Sequence, residues 1–278
     1  MFENILGHEE QKKILLESIK NGNISHSYLF FGPKGIGKCT LAKEFAKNIL
    51  SVNNLESSPD YRYISKKEDK KDIIIEQVRK DLIDDIYEAP ISSDRKVYII
   101  DDAELLNISA QNALLKTLEE PPKYVVIILI SHNLSSFLPT IISRVNKISF
   151  NKVEEQLLKI YIKNNYDVDF NERMLKYIDG SIGLAVDIIN SNKIDYFDKI
   201  DKLYLSLSSK NFVNSALIYK DIDFLVDGLL DYLEFILFDN SNFLCTKFVE
   251  KAKIRLKNNG NYDIVIDSMI LKILDNIM

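Results

Sequence analysis

Several features that would mark special classes of protein are scarce in this 278-residue chain. Its two cysteines, Cys39 and Cys245, lie far apart with no other ligand residues nearby. Neither a disulfide framework nor a cysteine-based zinc site is therefore expected. The three histidines, at positions 8, 26 and 132, are too scattered to predict a metal site. Nine glycines and six prolines are too few for a loop-rich or collagen-like chain.

Long apolar segments are also missing. The longest apolar run, residues 124–130, is far too short to span a bilayer, so no membrane association is expected. The first residues have neither the basic stretch nor the apolar stretch of a signal peptide. Together with the few cysteines, these absences predict a cytoplasmic protein.

Positive charge is not in excess either. The chain has 36 Lys and Arg against 41 Asp and Glu, for a net charge of −5. This excludes a protein that coats nucleic acid through a generally basic surface, although a local basic patch stays open. Hydrophobic residues make up 46% and charged residues 28%, an ordinary globular composition, and the length suggests about two domains, or three small ones.

Buried-type strands alternate with helical patterns in the first half of the chain. The runs 28–31, 97–100 and 125–130 are apolar and have the length of strands, and the intervening segments have helical periodicity. This alternation predicts an α/β fold with a parallel sheet. The polar stretch 51–72, which contains the charge run 66–72, is interpreted as a surface insertion.

From residue 151 onward the periodicity is helical, with almost no strand signal. We therefore predict three parts: an α/β domain over 1–150, a small helical domain over 151–204 and a second helical domain over 205–278. The segment 224–238 is apolar over most of a helix surface, which a lone helix could not bury. It is either a helix of an oligomer interface or an internal helix of a self-contained bundle.

A glycine-rich segment, Gly32-Pro33-Lys34-Gly35-Ile36-Gly37-Lys38, follows the first predicted strand and precedes a predicted helix, which is the context of a phosphate-binding loop. Gly32, Gly35 and Gly37 would let backbone N–H groups converge on phosphate oxygens, at a helix N-terminus that favours negative charge. Lys38 would reach the outer phosphates. The alternative is a glycine-rich turn without a ligand.

The residue after Lys38 departs from this motif. A serine or threonine would provide a hydroxyl for Mg²⁺, but Cys39 stands there, and its soft thiol is a poor ligand for a hard cation. Thr40 is one residue late and is expected to face another way on the helix. The sequence predicts that the loop glycines, Lys38, Cys39 and Thr40 form a nucleotide site in which ATP and Mg²⁺ are held weakly.

Two acidic residues end the second predicted strand. Asp101 has the position of the Walker B aspartate, which holds the Mg²⁺ shell. Asp102 stands where a glutamate usually aligns the attacking water. Its carboxylate is one methylene shorter, and a displacement of roughly 1 Å would cost on the order of a hundredfold in rate. Alternatively, the pair caps the following helix.

Four stretches together resemble one family. Residues 4–8 with Gln11 resemble its N-terminal box, and residues 25–32 resemble its entry into the phosphate loop. Residues 112–122 read NALLKTLEEPP, which is the most specific piece, and residues 140–144 read TIISR. These matches, over about half of the chain, resemble the AAA+ subunits of bacterial clamp loaders.

The resemblance implies an AAA+ P-loop domain followed by a helical lid and a helical collar. It implies that Arg144 is an arginine finger directed at the ATP of a neighbouring subunit, and that His132 is the sensor 1 residue. Gly183 occupies the place of the sensor 2 arginine. The four-cysteine zinc module of many family members is absent, so no zinc is expected.

In these departures from the motifs, the chain resembles the delta-prime type within the family. They imply a stator of the DNA polymerase III clamp loader with weak or no ATPase activity of its own. Its implied partners are the gamma/tau and delta subunits, the sliding clamp and primed DNA. The alternatives are an ATP-hydrolysing motor subunit of the gamma/tau type or another AAA+ ATPase, and a scaffold that binds no nucleotide.

Overall fold

The computed structural model describes residue 2, residues 4–67 and residues 70–277, so Glu68 and Asp69 of the predicted charge run lie outside the described residues. The strands are β1 (Ser27–Phe31), β2 (Tyr61–Ile64), β3 (Lys96–Ile100), β4 (Val125–Ser131) and β5 (Asn146–Ser149). The helices are α1 (Glu9–Lys20), α2 (Lys38–Leu50), α3 (Ile75–Val78), α4 (Ile108–Glu119), α5 (Pro139–Ile142), α6 (Glu155–Tyr166), α7 (Glu172–Ile178), α8 (Ile182–Asn190), α9 (Ile194–Ser208), α10 (Phe212–Lys220), α11 (Leu229–Asp239), α12 (Phe243–Lys257) and α13 (Tyr262–Asn276).

The strands form one parallel sheet in the order β2-β3-β4-β1-β5, which confirms the predicted fold class of a parallel α/β P-loop domain followed by helices. The three strands predicted from apolar runs are the three central ones. Interpreting all of residues 51–72 as a surface insertion is wrong for β2, which pairs with β3 inside the fold.

Side chains of the central strands alternate between two cores. In β1, Tyr28 and Phe30 face the layer that contains α1 and α2, whereas Leu29 faces the layer that contains α3 and α4. Val97 and Tyr98 of β3 divide in the same way. A sheet covered on both faces explains why these strands read as continuous apolar runs.

Two helices beside this sheet have distinctive ends. Helix α4 begins at Ile108, and the side chain of Asn107 caps it by accepting a hydrogen bond from the N–H of Ala110. Helix α3 is short and continues as a π-helical turn over Arg79–Ile83.

The chain divides into two compact units. One contains the residues up to Asp169 together with Asp179–Leu184, and the other contains Phe170–Ile178 together with the residues from Ala185 onward. Every element after β5 in the described part is helical, as predicted. The three-part division at residues 150 and 204 stays a prediction.

Within the second unit, α11 packs against α9 and α12, and most of its side chains are buried there. The apolar segment predicted over 224–238 is therefore a helix of a self-contained bundle over most of its length. Among the described residues, no helix combines the length and apolar character needed to cross a membrane.

A buried carboxylate organises the connection that precedes β3. Asp60 is almost completely buried and accepts hydrogen bonds from the backbone N–H groups of Ile91, Ser92 and Ser93 and from the hydroxyl of Ser92. Burial alone would raise the pKa of Asp60, but these hydrogen bonds outweigh it and hold that pKa below its ordinary value.

We expect Asp60→Asn to destabilise the protein by about 2–3 kcal/mol at neutral pH, because an amide cannot accept all these bonds. A group with a lowered pKa stabilises the fold above its unfolded value, about 3.9, and loses that contribution as the pH falls through the folded value. The difference from wild type should therefore shrink below about pH 4. Urea unfolding at both pH values tests this, with the exposed Asp94→Asn as the control. A difference independent of pH would contradict it.

Candidate functional site

The predicted site residues converge at the carboxyl ends of β1, β3 and β4. Because these strands are parallel neighbours, the loops that follow them meet at one edge of the sheet. A cavity of about 300 Å³ lies there. The predicted residues that line it are Gly35, Gly37, Lys38, Cys39, Thr40, Asp101, Asp102 and His132. Thr40 thus lies beside Cys39 on the cavity, although it was expected to face another way.

The glycine-rich loop has the backbone of a phosphate cradle. Gly35 and Gly37 have φ values of 75° and 97°, which other residues rarely adopt. At Gly32, a Cβ would lie 2.2 Å from the carbonyl oxygen of Phe150, so only glycine fits. Lys38 donates to the carbonyl oxygens of Gly32 and Pro33, and burial lowers its pKa. These features fit a phosphate group.

At Gly183, where the family has the sensor 2 arginine, the backbone of the chain packs directly against the phosphate loop. The N–H of Gly183 donates to the carbonyl oxygen of Gly35 over 2.7 Å, and a Cβ at Gly183 would lie only 3.1 Å from the Cα of Gly35. Ser181 also packs against Gly35 of this loop. A side chain at position 183 would press against the phosphate loop, so this edge of the cavity offers no guanidinium.

The donors at the expected Mg²⁺ position do not suit that ion. The Cys39 thiol lies 3.8 Å from the hydroxyl of Tyr63, and that hydroxyl donates to Oδ2 of Asp101 over 2.6 Å. Burial, with the charge of Asp101, raises the pKa of Cys39 to about 11, so the sulfur is a neutral thiol. The structure therefore supplies neither a hard oxygen at position 39 nor a free carboxylate oxygen of Asp101 on that side.

We expect Cys39 to react slowly with thiol reagents near neutral pH. Raising its pKa from 9.0 to about 11 lowers the thiolate fraction about 100-fold, while the greater nucleophilicity of that thiolate restores only about tenfold. Alkylation should therefore be at least about tenfold slower than for a small free thiol. Thiol titration in native protein and in denaturant checks this, because both cysteines should react fully only in denaturant. One thiol reacting natively at the free rate would contradict it.

A second group on the cavity combines two carboxylates with a histidine. The ligand atoms of Asp102, Glu104 and His132 lie within 4.8 Å of one another, and Oε1 of Glu104 lies 2.5 Å from Nδ1 of His132. Burial and the charges of Asp101 and Glu104 raise the pKa of Asp102. Glu104 and Tyr63 were not among the predicted site residues. Glu104 comes two residues after Asp102, but that spacing alone does not show that it lies beside His132.

Arg144 lies apart from this cavity. Its carbonyl oxygen accepts a hydrogen bond from the hydroxyl of Ser27 at the amino end of β1, whereas the phosphate loop leaves the carboxyl end, about 13 Å along the strand. The guanidinium is one-third exposed and lies 2.5 Å from Oε1 of Glu119. It also donates to the carbonyl oxygen of Thr140. Arg144 is not a residue of its own cavity.

Comparison with known proteins gives the family. A family model described as "DNA polymerase III, delta subunit" matches residues 7–154, more than half of the chain. The chain belongs to this family. It is thus a member of the clamp-loader group of DNA polymerase III subunits, as the sequence motifs predicted.

Curated relatives are similar over part of their length. The gamma subunit of Buchnera aphidicola from Acyrthosiphon pisum is 34% identical over 68% of this chain and 57% of its own length. The tau subunit of Bacillus subtilis is 32% identical over 72% of this chain and 37% of its own length. The delta' subunit of Pseudomonas aeruginosa is 38% identical over 43% of this chain and 41% of its own length. The chain spans about half the length of these relatives.

A solved structure supports the fold. A gamma subunit-related protein from Thermotoga maritima has a TM-score of 0.57 and 19% identity, covering 94% of this chain and 99% of the other. The architecture described above therefore has a counterpart over nearly the whole chain.

Proposed function

We propose that the chain is a delta-prime-type stator subunit of the DNA polymerase III clamp loader. In this role it helps ATP-driven loading of the sliding clamp onto primed DNA, and it contributes Arg144 to the ATP site of a neighbouring gamma/tau motor subunit. The delta subunit would be a further partner of this chain. We expect the chain to act in the cytoplasm.

The observation that carries this proposal is the contrast between the two sites. The chain's own cavity keeps Lys38 and the glycine-rich loop but has a neutral thiol at Cys39, a tyrosine hydroxyl on Asp101 and backbone where Gly183 replaces an arginine. Arg144, by contrast, is exposed near the amino end of β1, away from the chain's own cavity. Loss of the chain's own hydrolysis with retention of a guanidinium for another site is the pattern of a stator.

In this role, Arg144 would exchange its carboxylate partner for a phosphate. The ion pair with Glu119 lies at the surface, where such pairs contribute about 1 kcal/mol or less. A developing γ-phosphate charge in a partly desolvated interface offers a stronger partner. Glu119 would thus orient the guanidinium, and its weak ion pair would not prevent the guanidinium from binding the phosphate.

The deciding experiment separates hydrolysis from assembly. The purified chain should bind a fluorescent ATP analogue weakly or not at all and release no phosphate above background. Mixed with the gamma/tau and delta subunits and the clamp of its host, it should elute with them in gel filtration and increase clamp loading. Robust turnover by the isolated chain, or failure to assemble, would refute the proposal.

A motor subunit of the gamma/tau type is the second candidate. It is favoured by the gamma and tau relatives, whose similarity extends over more of this chain than that of the delta' relative. Asp101 and Lys38, which any motor needs, are also present. Phosphate release by the isolated chain that depends on Mg²⁺ and is lost in Lys38→Ala would support this candidate over the first.

A further inference from the structure

We propose that Asp102, Glu104 and His132 bind a divalent transition-metal ion, such as Mn²⁺ or Zn²⁺, beside the phosphate loop. The three side chains come from the turn after β3 and from the residue after β4, which are adjacent parallel strands. This site goes beyond the proposed function, because it requires neither nucleotide nor a partner subunit.

The buried carboxylate of Glu104 points to a ligand. Its side chain is only 6% exposed, and among the described residues neither of its oxygens receives a hydrogen bond. A buried carboxylate without partners is strongly unfavourable, so such groups are normally paired or bind metals. A positive species in the cluster would remove this cost.

The nearest neighbour of Glu104 does not provide a hydrogen bond. Nδ1 of His132 lies 2.5 Å from Oε1, and the pair lacks hydrogen-bond geometry. The contact is an ion pair only when the ring is protonated, and it leaves both carboxylate oxygens without a hydrogen bond. A metal ion between them would turn both into ligands, since neutral imidazole and carboxylate are common metal-binding groups.

The surrounding charge also favours a cation. Asp101 and Asp102 are adjacent, and Glu104 adds a third carboxylate. Lys38 interacts electrostatically with these carboxylates, and Lys34 with Asp102, but the hydrogen bonds of the Lys38 ammonium go to carbonyl oxygens of its own loop. A divalent ion would compensate more of the carboxylate charge and would bind Glu104 directly.

The distances require only small movements. Transition metals bind nitrogen and oxygen ligands at about 2.0–2.2 Å, which places neighbouring ligand atoms about 3.0–3.5 Å apart. The three ligand atoms already lie within 4.8 Å, and the half-exposed ring of His132 can move outward from Glu104 by about 1 Å. Three protein ligands leave room for water or for a phosphate oxygen. The nitrogen ligand favours transition metals over Mg²⁺.

Co²⁺ is a suitable probe because its visible absorption reports nitrogen and oxygen coordination. Titrating the nucleotide-free full chain with Co²⁺ should give a saturable one-to-one band that Zn²⁺ abolishes by competition. A sulfur charge-transfer band should be absent, because Cys39 is not a ligand. Glu104→Gln and His132→Asn should each weaken binding by about 10- to 100-fold or more. The exposed Glu88→Gln should bind Co²⁺ as wild type does.

The outcomes are separable. No saturable band in wild type, or equal binding by wild type and both variants, would overturn the proposal and leave Glu104 and His132 as a side-chain contact that binds no metal. If Glu104→Gln fails to fold, as judged by circular dichroism, the more exposed His132→Asn decides alone. The assay contains no nucleotide or partner, so its result is independent of the stator test.

Discussion

Arg144→Ala should fold and assemble normally but lower hydrolysis at the neighbouring motor site by about 1,000-fold or more. Its side chain is partly exposed, and its ion pair with Glu119 is a surface pair, so stability should change by about 1 kcal/mol or less. The guanidinium would act only where negative charge develops on the transferred phosphoryl group. Clamp loading should fall with the hydrolysis that this site supplies.

Steady-state hydrolysis by the reconstituted complex measures this effect, with assembly verified by gel filtration. The total rate should drop by the share of the single site that Arg144 serves. Arg144→Lys should rescue poorly, because an ammonium lacks the two-pronged donor geometry. Arg79→Ala, an exposed arginine of the same unit, is the matched control and should hydrolyse ATP at the wild-type rate. An unchanged rate for Arg144→Ala in an intact complex would return Arg144 to an ordinary surface residue.

Cys39→Thr should raise the affinity for nucleotide in the presence of Mg²⁺ by about tenfold, because it replaces a neutral thiol by a hard oxygen donor. Adding Tyr63→Phe should increase the gain, since it frees Oδ2 of Asp101 from the tyrosine hydroxyl. Hydrolysis should still be slow, because Asp102 and Gly183 are unchanged. Equilibrium binding of a fluorescent ATP analogue, in Mg²⁺ and in EDTA, measures the effect.

The matched control is Cys39→Val, which has the shape of threonine without its hydroxyl. It should bind nucleotide equally in Mg²⁺ and in EDTA. If the threonine and valine variants behave alike, the weakness of the site has another origin, and the packing of Gly183 on Gly35 becomes the main candidate.

The sheet was predictable where it is buried and was missed at its edges. The three central strands carry continuous apolar runs because helices cover both of their faces. The edge strands β2 and β5 read YRYI and NKIS, which carry no such run. Their positions depend on pairing with β3 and β1, and this tertiary information is absent from local periodicity.

The phosphate loop and the acidic strand end could be predicted because their chemistry lies in contiguous residues. Tyr63 and Glu104 could not, because their roles arise from contacts. Tyr63 reaches Asp101 only because β2 lies beside β3, and Glu104 reaches His132 only because β3 lies beside β4. The sequence predicts no metal site because its three histidines are scattered, and the cluster of His132 with two carboxylates forms only in the folded chain.

Strand β1 has the phosphate loop at one end and the backbone of Arg144 at the other. If Arg144 serves another chain, pocket and finger face opposite directions, and subunits must associate head to tail, with a different surface on each side. Such an assembly has a polarity that a two-fold dimer lacks. Each interface would then combine the nucleotide cavity of one chain with the arginine of the next. An interface whose cavity cannot hydrolyse ATP would differ from all the others. A single such chain would therefore mark one fixed position in an otherwise repetitive ring.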